Sequence, residues 1–302
     1  MDLNKVSSLE EFYEKYKEIC KKEHEEICKD GKRENSGLIP FLRGHYSDSF
    51  ELLPSVYRKM DNNVKKTYVE CEDKMIDEVI RLFPDEFDNS MSTIEQLVKM
   101  QHYGLPTRLL DITSNPLVAL YFACVDAEDN SKDENCKDGE VIIFFVEESD
   151  MCGSDSDTVS VIANIAKQKS DFNIKHNFRH CTYLFNNQGY VPYLLHSIRR
   201  EKPYFKSIIV PKDIESVVFV QAKMNNPRII RQSGSFFLFG IDEEKKNPAK
   251  FKIEPKKIKI CAQKKKSILK DLEALGISKA TLFPEIETVM GCIKRKYENK
   301  IN

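Results

Sequence analysis

Helical and strand-like patterns alternate irregularly along this chain, and their order constrains the fold more than any other feature of the sequence. Apolar residues recur at three- and four-residue spacing over 9–27, after a capping box formed by Ser8 and Glu11. Strand-like apolar runs cover residues 38–44, 108–113 and 140–146. The last run is apolar on both faces, which is typical of a central strand. Because no strict βαβ order is present, the sequence predicts an α+β fold with a mixed or antiparallel central sheet and helical flanks.

The remaining patterns complete this prediction. Helices are predicted over residues 64–82, 92–103, 116–125, 156–168, 264–275 and 284–297. Strands are predicted over residues 207–210, 216–220 and 234–241, with a further alternation of Phe251, Ile253, Ile258 and Ile260 around Pro255. The apolar side chains of the last helix that we expect to face inward are Ile286, Val289, Ile293 and Tyr297. We expect an N-terminal helix in residues 1–35, an α+β core in 36–260 and Lys-rich helices in 261–302.

Composition excludes several classes of protein. The nine cysteines are an odd number and form no CxxC pair, which argues against a disulfide framework or a zinc ribbon, so no metal is expected. No run approaches the roughly 20 apolar residues of a membrane span, and residues 1–10 contain no apolar signal segment. These observations predict a cytoplasmic protein without a membrane partner.

The formal net charge of -1 conceals an uneven distribution. Residues 242–302 contain 16 Lys and Arg against 9 Asp and Glu, a local charge of +7, so the rest of the chain carries -8. Two interpretations of this basic region are open. It could bind nucleic acid, or it could consist of solvated Lys-rich helices.

No sequence signature of a common nucleotide-binding or hydrolase fold is present. The motifs GxGxxG, GxxxxGK[ST], HExxH and GxSxG are all missing. Polar side chains are instead concentrated in two apolar segments. The first segment carries Arg43, and the second carries Gln101, His102, Tyr103, Thr107, Arg108, Asp111, Thr113 and Ser114. Side chains of this kind in apolar surroundings indicate either buried ion pairs and caps or a binding site.

These two segments closely resemble the FRG domain, a family named for its (Phe/Tyr)-Arg-Gly motif. The first segment reads Phe41-Leu-Arg-Gly44, followed by Leu52-Leu-Pro-Ser55 and Arg58. The second reads Gln101-His-Tyr-Gly-Leu-Pro-Thr-Arg-Leu-Leu-Asp111 and continues through Asn115-Pro-Leu-Val-Ala-Leu-Tyr-Phe122. The resemblance covers residues 38–146. It departs from the family motif at Leu42, which stands where an aromatic residue usually precedes the arginine.

The arrangement is also similar to the arginine-serine-glutamate class of ADP-ribosyltransferases, enzymes that use NAD. This second resemblance implies that Arg43 and Gly44 form the motif of the first strand. Thr113 and Ser114 would form the second motif, and Gln232 the third, in a late strand. Arg43 would then bind the pyrophosphate, because an arginine fork binds phosphate bidentately. Hydroxyl groups near a helix N-terminus would hold a ribose.

The other polar residues are candidates for the same site. Tyr103 and Arg108 would help to bind the nucleotide. His102 and Asp111 could act as a proton-transfer pair, because an imidazole beside a carboxylate titrates near neutral pH. Gln232 brings no negative charge to an oxocarbenium-like ribose. Either Asp111 supplies the carboxylate, or the chain binds a nucleotide without turning it over.

Each of these residues also has a purely structural interpretation. Arg43 could form a buried ion pair with Asp111, and Arg108 another. Thr113 could cap the next helix, and Gln232 could be a surface strand residue.

Three functions are therefore open. The first is a nucleotide-handling effector, an NAD-dependent ADP-ribosyltransferase of the toxin or antiphage-defence type that modifies an unknown protein or nucleic acid. The second is a noncatalytic sensor that binds a ligand or partner through Arg43, His102 and Arg108. The third is a nucleic-acid-binding protein that uses the basic C-terminal region.

Overall fold

The computed structural model describes residues 5–29, 37–61, 64–88, 90–129, 137–174, 181–206, 208–221, 223–224 and 226–301. The strands are β1 (Lys5–Val6), β2 (Leu38–His45), β3 (Lys59–Asp61), β4 (Val64–Thr67), β5 (Leu109–Thr113), β6 (Gly139–Glu147), β7 (Met151–Cys152), β8 (Val217–Val220), β9 (Gly234–Phe239), β10 (Ile241–Asp242), β11 (Glu244–Pro248) and β12 (Lys256–Ile260). The helices are α1 (Leu9–Lys29), α2 (Glu72–Leu82), α3 (Thr93–His102), α4 (Pro116–Cys124), α5 (Asp126–Asp129), α6 (Asp157–Asn164), α7 (Thr182–Asn186), α8 (Val191–Glu201), α9 (Pro211–Ile214), α10 (Pro227–Gln232), α11 (Lys265–Ala274), α12 (Lys279–Leu282) and α13 (Ile286–Ile301).

The main sheet of the described residues is mixed. Its strand order is β1-β12-β6-β2-β5-β9-β8-β7. The outer pairs, β1 with β12 and β7 with β8, are parallel, and all pairs between them are antiparallel. Two short antiparallel pairs, β3 with β4 and β10 with β11, lie outside this sheet. The predicted α+β fold with a mixed sheet and helical flanks is confirmed.

Helices cover one face of the sheet in two groups. Over β12, β6 and β2, the sheet packs against α1, α4 and α11, with Leu42, Val141 and Ile258 pointing into that cluster. Over β5, β9 and β8, it packs against α3, α6 and α8. Alternate side chains point to the other face, because successive residues of a strand face opposite ways. There they form an aromatic cluster that includes Phe41, Phe144, Phe219, Phe237 and Phe251.

The boundary between β2 and β5 is the weak point of the sheet. Along these two strands, both described in full, the ladder consists of one residue pair, Leu42 with Thr113. By contrast, β2 pairs with β6 from Leu38 to His45, and β5 pairs with β9 from Leu109 to Thr113. Along the rest of the β2–β5 boundary, side chains take the place of backbone pairing, and the candidate site lies there.

Three predicted elements differ from the structure. The helix predicted over 64–82 begins only at Glu72, because Val64–Thr67 pairs as a strand with β3 and a 3-10 turn follows. Residues 208–210 of the strand predicted over 207–210 are irregular and lead into Pro211, which starts α9; residue 207 lies outside the described residues. The alternation around Pro255 becomes a strand only after that proline, in β12.

The last helix, α13, does not bury the stripe that the sequence predicts. Ile286, Ile293 and Tyr297 are 75%, 48% and 59% exposed. Their spacing is that of an amphipathic helix, but periodicity alone does not show whether the apolar face has a partner. No helix in the described part of the chain is long and apolar enough to cross a bilayer.

Candidate functional site

Arg43 fills the gap between β2 and β5. Its Nη1 donates to the backbone oxygen of Asp111 at 2.6 Å, and its Nε donates to Nε2 of His45 at 3.0 Å. Burial lowers the pKa of Arg43 to about 10, so the guanidinium is still charged at neutral pH. No hydrogen bond is formed by its Nη2 with any part of the chain that the structure describes. The side chain is 17% exposed, so it is fixed by the protein and still reachable from solvent.

A buried chain of polar groups holds Arg43 from behind. His45 lies two residues further along β2, on the same face, and its Nδ1 donates to Oε1 of Glu140 at 3.3 Å. Glu140 on β6 is also paired with Nζ of Lys257 at 3.1 Å. Because Nε2 of His45 accepts from Arg43, its proton is on Nδ1 and the ring is neutral. Burial, more than any other cause, lowers the pKa of His45 and favours this neutral form.

Asp111 presents its carboxylate to solvent beside Arg43. Oδ2 lies 3.9 Å from Nη1 of Arg43, and the side chain is 62% exposed. Oδ1 accepts a hydrogen bond from Nε2 of Gln101 at 2.8 Å, and Gln101 in turn accepts one from the hydroxyl of Thr107. The expected ion pair between Arg43 and Asp111 is therefore loose, and its main direct contact is with the Asp111 backbone.

A second guanidinium lies close to this pair. Arg58 donates from Nε and Nη2 to the backbone oxygen of Leu53 at 3.2 and 3.0 Å. Burial lowers the pKa of Arg58, and Asp111 and Tyr46 partly offset this effect. The positive charge of Arg58 also contributes to lowering the pKa of Arg43. The site thus combines two guanidinium groups with one exposed carboxylate.

His102 and Tyr103 do not join this cluster. They end α3 and line a cavity of about 490 Å³ between α3, α10 and the segment before α13. No hydrogen bond connects His102 with Asp111, whose partner is the preceding residue, Gln101. This corrects the predicted proton-transfer pair, since consecutive residues of a helix point about 100° apart. Burial lowers the pKa of His102, and the nearby Arg228 adds to this effect.

Arg108 is entirely buried and has a structural role. Its Nε donates to Glu72 at 3.0 Å and its Nη1 donates to the backbone oxygen of Phe239 at 3.1 Å, while Nζ of Lys245 lies 3.3 Å from the same Glu72 carboxylate. Its side-chain exposure is 0%. This corrects the prediction that Arg108 binds a nucleotide, because no ligand can reach it without unpacking α2.

Gly44 also serves packing. A Cβ at this position would lie 2.0 Å from the backbone oxygen of Ala119 and 2.7 Å from the nitrogen of Ala123. The glycine lets α4 approach β2 closely, so its predicted part in ligand binding is corrected to a part in the α4–β2 contact.

Thr113, Ser114 and Gln232 come together, but as structural contacts. The hydroxyl of Thr113 donates to the backbone oxygen of Gln232 at 2.6 Å and accepts from the nitrogen of Asn115 at 3.0 Å. The nitrogen of Ser114 donates to the oxygen of Ser233 at 3.1 Å. Gln232 ends helix α10 rather than lying in a strand, and its Nε2 donates to the oxygen of Leu282 at 3.1 Å. These bonds join β5, α10 and α12, which accounts for Thr113 and Gln232 without a ligand.

The fold and the site together define an α+β protein whose mixed sheet holds a partly buried arginine where two strands are poorly paired. Residues 40–132 of the chain match the family model of the FRG domain, so an FRG domain is present. The matched range includes Arg43, Arg58, Asp111 and all of α3. No curated protein and no solved structure matches the chain. The resemblance to ADP-ribosyltransferases has no support from these comparisons.

Two residues of the site were missed by the sequence analysis. His45 could have been found from its position, because it follows Arg43 by two residues in a strand and must share its face. Glu140 opens an otherwise apolar run, and a carboxylate there needs a buried partner. Nothing in the sequence indicates that these two residues pair, because β2 and β6 are separated by nearly a hundred positions.

Proposed function

We propose that this chain binds a nucleotide at the boundary of β2 and β5, and that NAD is the nucleotide. The observation that carries the proposal is the state of Arg43. Its guanidinium is held by His45 and by the Asp111 backbone, while its Nη2 stays unengaged within the described chain and partly reachable from solvent. A prepositioned arginine of this kind suits a phosphate oxygen, since little side-chain freedom is lost on binding.

The charge of the site supports a phosphate ligand. Arg43 and Arg58 supply two positive charges near one carboxylate, Asp111. An anion placed between the two guanidinium groups would relieve their repulsion. Charge-assisted hydrogen bonds of this type are roughly twice as strong as neutral ones.

Asp111 supports a ribose next to the phosphate. Its carboxylate is exposed and its orientation is fixed by Gln101, so it can accept hydrogen bonds from ribose hydroxyls. Glycosyl transfer would need one further property of the same group. The bond between ribose C1′ and nicotinamide N1 breaks, and its electron pair goes to nitrogen. The carboxylate of Asp111 stabilises the cationic ribose that this leaves. A nucleophile then bonds to C1′ and loses its proton to water.

We further propose that the chain acts in the cytoplasm as an effector of the toxin or antiphage-defence type, and that its target is a protein or a nucleic acid. Cys20, Cys152 and Cys261 are free thiols, which suits a reducing compartment.

Calorimetry with NAD and ADP-ribose tests the binding step. We expect Arg43→Gln to weaken binding of both ligands at least tenfold, because a charge-assisted bond to a buried arginine contributes about 1.5–3 kcal/mol. Arg81→Gln is the matched control, since Arg81 lies exposed on α2 away from the site. Equal affinity of Arg43→Gln and the native chain would contradict the proposal.

A second assay separates an enzyme from a sensor. Release of nicotinamide from NAD is followed with the native chain and with Asp111→Asn. If the chain transfers ADP-ribose, the native protein releases nicotinamide and the variant does so at least a hundredfold more slowly. If NAD binds and is not consumed, the chain is a nucleotide sensor, and glycosyl transfer is excluded for this ligand.

A further inference from the structure

The cavity beside α3 lies next to the proposed nucleotide site and has no role so far. We call it the α3 pocket. Its volume is about 490 Å³, and its walls include Ile94, Val98 and His102 of α3, Phe236 of β9, Arg228 of α10 and Glu285. Pockets that bind small ligands have volumes of about 300–1,000 Å³ and mostly apolar walls with a few polar groups. The volume of the α3 pocket lies in this range, and its walls combine apolar side chains with charged ones that also include Glu95, Lys99 and Lys223.

The sheet places this pocket directly beside Asp111. Asp111 of β5 and Phe236 of β9 are paired residues of the antiparallel ladder. Paired residues point to the same face with Cβ atoms about 5 Å apart. Because Phe236 lines the pocket, Asp111 is the cross-strand neighbour of a wall residue, without being part of the wall itself. Gln101, which holds Asp111, precedes His102 in the pocket wall.

One polar atom in the pocket wall lacks a partner. Oε2 of Glu285 is buried and makes no hydrogen bond with any residue that the structure describes. A buried acceptor without a donor costs about 1–3 kcal/mol, and such atoms are few in native proteins. Glu285 therefore calls for a ligand that brings an N–H or O–H group into the pocket.

The other polar groups narrow the class of ligand. The guanidinium of Arg228, a planar group, lies over the ring of Phe283 with its centre 4.6 Å from the ring centroid, so it is held in place at one side of the pocket. The ring of Tyr103 stands edge-on to His102 near the opening, 74% exposed. A phosphate is disfavoured beside the Glu285 carboxylate, and an aliphatic ligand would leave Oε2 without a donor. A flat heteroaromatic ring with an N–H group satisfies both the walls and the carboxylate.

We propose that the α3 pocket binds the base of the nucleotide, a planar heteroaromatic ring whose N–H group donates to Oε2 of Glu285. The inference rests on the proposed function, which places the ribose at Asp111 and the phosphates at Arg43 and Arg58. Both ends of NAD carry this chemistry, because adenine has an exocyclic amine and nicotinamide a carboxamide. The pocket thus determines which end of the dinucleotide lies beside Asp111.

Calorimetry with fragments tests the proposal. Adenosine and nicotinamide probe the pocket, whereas ribose 5-phosphate, which has no base, probes Arg43 and Asp111. We expect Glu285→Met to weaken binding of one of the two base-containing fragments, and of NAD, at least tenfold, and to leave ribose 5-phosphate unchanged. Arg43→Gln should weaken binding of ribose 5-phosphate and leave binding of adenosine and nicotinamide unchanged. The fragment affected by Glu285→Met identifies the base in the pocket.

Two further variants serve as a control and as a second test of the pocket. Glu287→Met is the matched control, because Glu287 is exposed on the first turn of α13. Val98→Phe fills the pocket from α3 and should also weaken NAD binding without affecting ribose 5-phosphate. Melting temperatures of all variants show whether each is folded.

The outcomes separate this inference from the proposed function. If Arg43→Gln weakens NAD binding and neither Glu285→Met nor Val98→Phe does, the base pocket is refuted and the phosphate site stands. If Glu285→Met weakens NAD binding and Arg43→Gln does not, the phosphate site is refuted and the pocket stands as a base site. If the folded native chain binds none of these ligands, both are refuted.

Discussion

Arg43 and Arg108 show how the surroundings of one residue type decide its role. Both are arginines in apolar segments of the FRG match, and both are hydrogen-bonded to backbone oxygens. Arg108 meets a buried carboxylate, Glu72, and is satisfied within the core. Arg43 meets a neutral imidazole and keeps part of its charge directed to solvent. Because its hydrogen-bonded side-chain partner is neutral and Asp111 is only a loose ion-pair partner, Arg43 can still attract an anionic ligand, and this makes it the more informative of the two.

The buried imidazole of His45 predicts a pH dependence of stability. Its pKa in the folded chain is lowered from the ordinary value of 6.5, so the unfolded chain binds the proton more readily below pH 6.5. The contribution of His45 to stability is therefore complete above pH 6.5 and is lost as the pH falls from 6.5 through the lowered pKa of the folded chain. The charged and titratable groups facing the ring are Arg43, Arg58 and Glu140. We expect His45→Gln, which keeps a donor and an acceptor, to reduce this loss of melting temperature between pH 7 and pH 5.

His196→Gln serves as the control for this measurement. His196 is exposed on α8, so the substitution should leave the pH dependence of the melting temperature as in the native chain. An identical slope for His45→Gln and the native chain would show that His45 is not protected from protonation in the fold.

Sequence reasoning reached part of the site at this scale. It identified Arg43 and Asp111, because charged residues in apolar runs are conspicuous. It could not separate Arg43 from Arg108, since the partner of Arg108 lies 36 positions earlier in a helix whose start was misplaced. It also missed Glu285, an ordinary surface-type residue in the sequence that becomes notable only through its buried, unpartnered oxygen.

At the level of elements, the contact between α4 and β2 depends on Gly44. Substitution by alanine places a Cβ 2.0 Å from the oxygen of Ala119, so α4 must move away from the sheet. We expect Gly44→Ala to lower the free energy of unfolding by about 1–3 kcal/mol, the usual cost of overpacking a core. Chemical denaturation measures the change.

Gly291→Ala is the contrasting variant. Gly291 lies within α13, and a Cβ there would meet no atom within 4 Å. Alanine should stabilise the chain by about 0.5–1 kcal/mol, because glycine inside a helix is unfavourable. If both substitutions had the same effect, the close approach of α4 to β2 would not hold.

Elements with strong local signals were predictable from the sequence, and those decided by partners were not. The capping box of Ser92 and Glu95 and the Asn115-Pro116 start fixed α3 and α4. The residues Val64–Thr67 fit a helical pattern with Tyr68 and Cys71, but they form a strand because they pair with β3. In α13 the apolar spacing correctly predicted a helix, while the exposure of Ile286 and Ile293 could not be predicted from that spacing.

Across the whole molecule, one buried triad connects distant parts of the chain. Glu72 of α2, Arg108 before β5 and Lys245 of β11 share one carboxylate in the interior. Burial opposes the charge of Glu72, but the two cations outweigh it and lower its pKa below the ordinary value of 4.5. The stabilising contribution of this carboxylate is therefore complete above pH 4.5 and is lost as the pH falls below its folded pKa.

This triad predicts a particular response to acid. We expect Glu72→Gln to lower the melting temperature strongly at pH 7, because removing one partner leaves buried cations uncompensated at a cost of about 3–5 kcal/mol. The difference from the native chain should narrow as the pH falls below 4.5, because the unfolded chain then binds the proton more readily, and it should be lost below the lowered pKa of the folded carboxylate. A difference that stays constant from pH 7 to pH 3 would contradict the assignment.

The basic region, residues 242–302, is less available than its charge of +7 suggests. Several of its lysines pair with carboxylates of the acidic body: Lys256 with Glu23, Lys257 with Glu140, Lys259 with Asp48 and Lys265 with Asp126. The Lys265 side chain is 0% exposed. Part of the positive charge of this region is thus engaged by the acidic body of the molecule, which weakens the nucleic-acid alternative.

The parallel pair at the edge of the sheet has a consequence for how the chain is made. β1 pairs residue 5 with residue 259, and Phe12 of α1 is buried against the same group of elements. During synthesis, this early segment leaves the ribosome long before its partner strand exists. Its apolar side chains stay exposed until β12 and α11 have been translated. We therefore expect chaperones to bind this part of the chain during synthesis. The sheet is therefore completed late in the synthesis and folding of the chain.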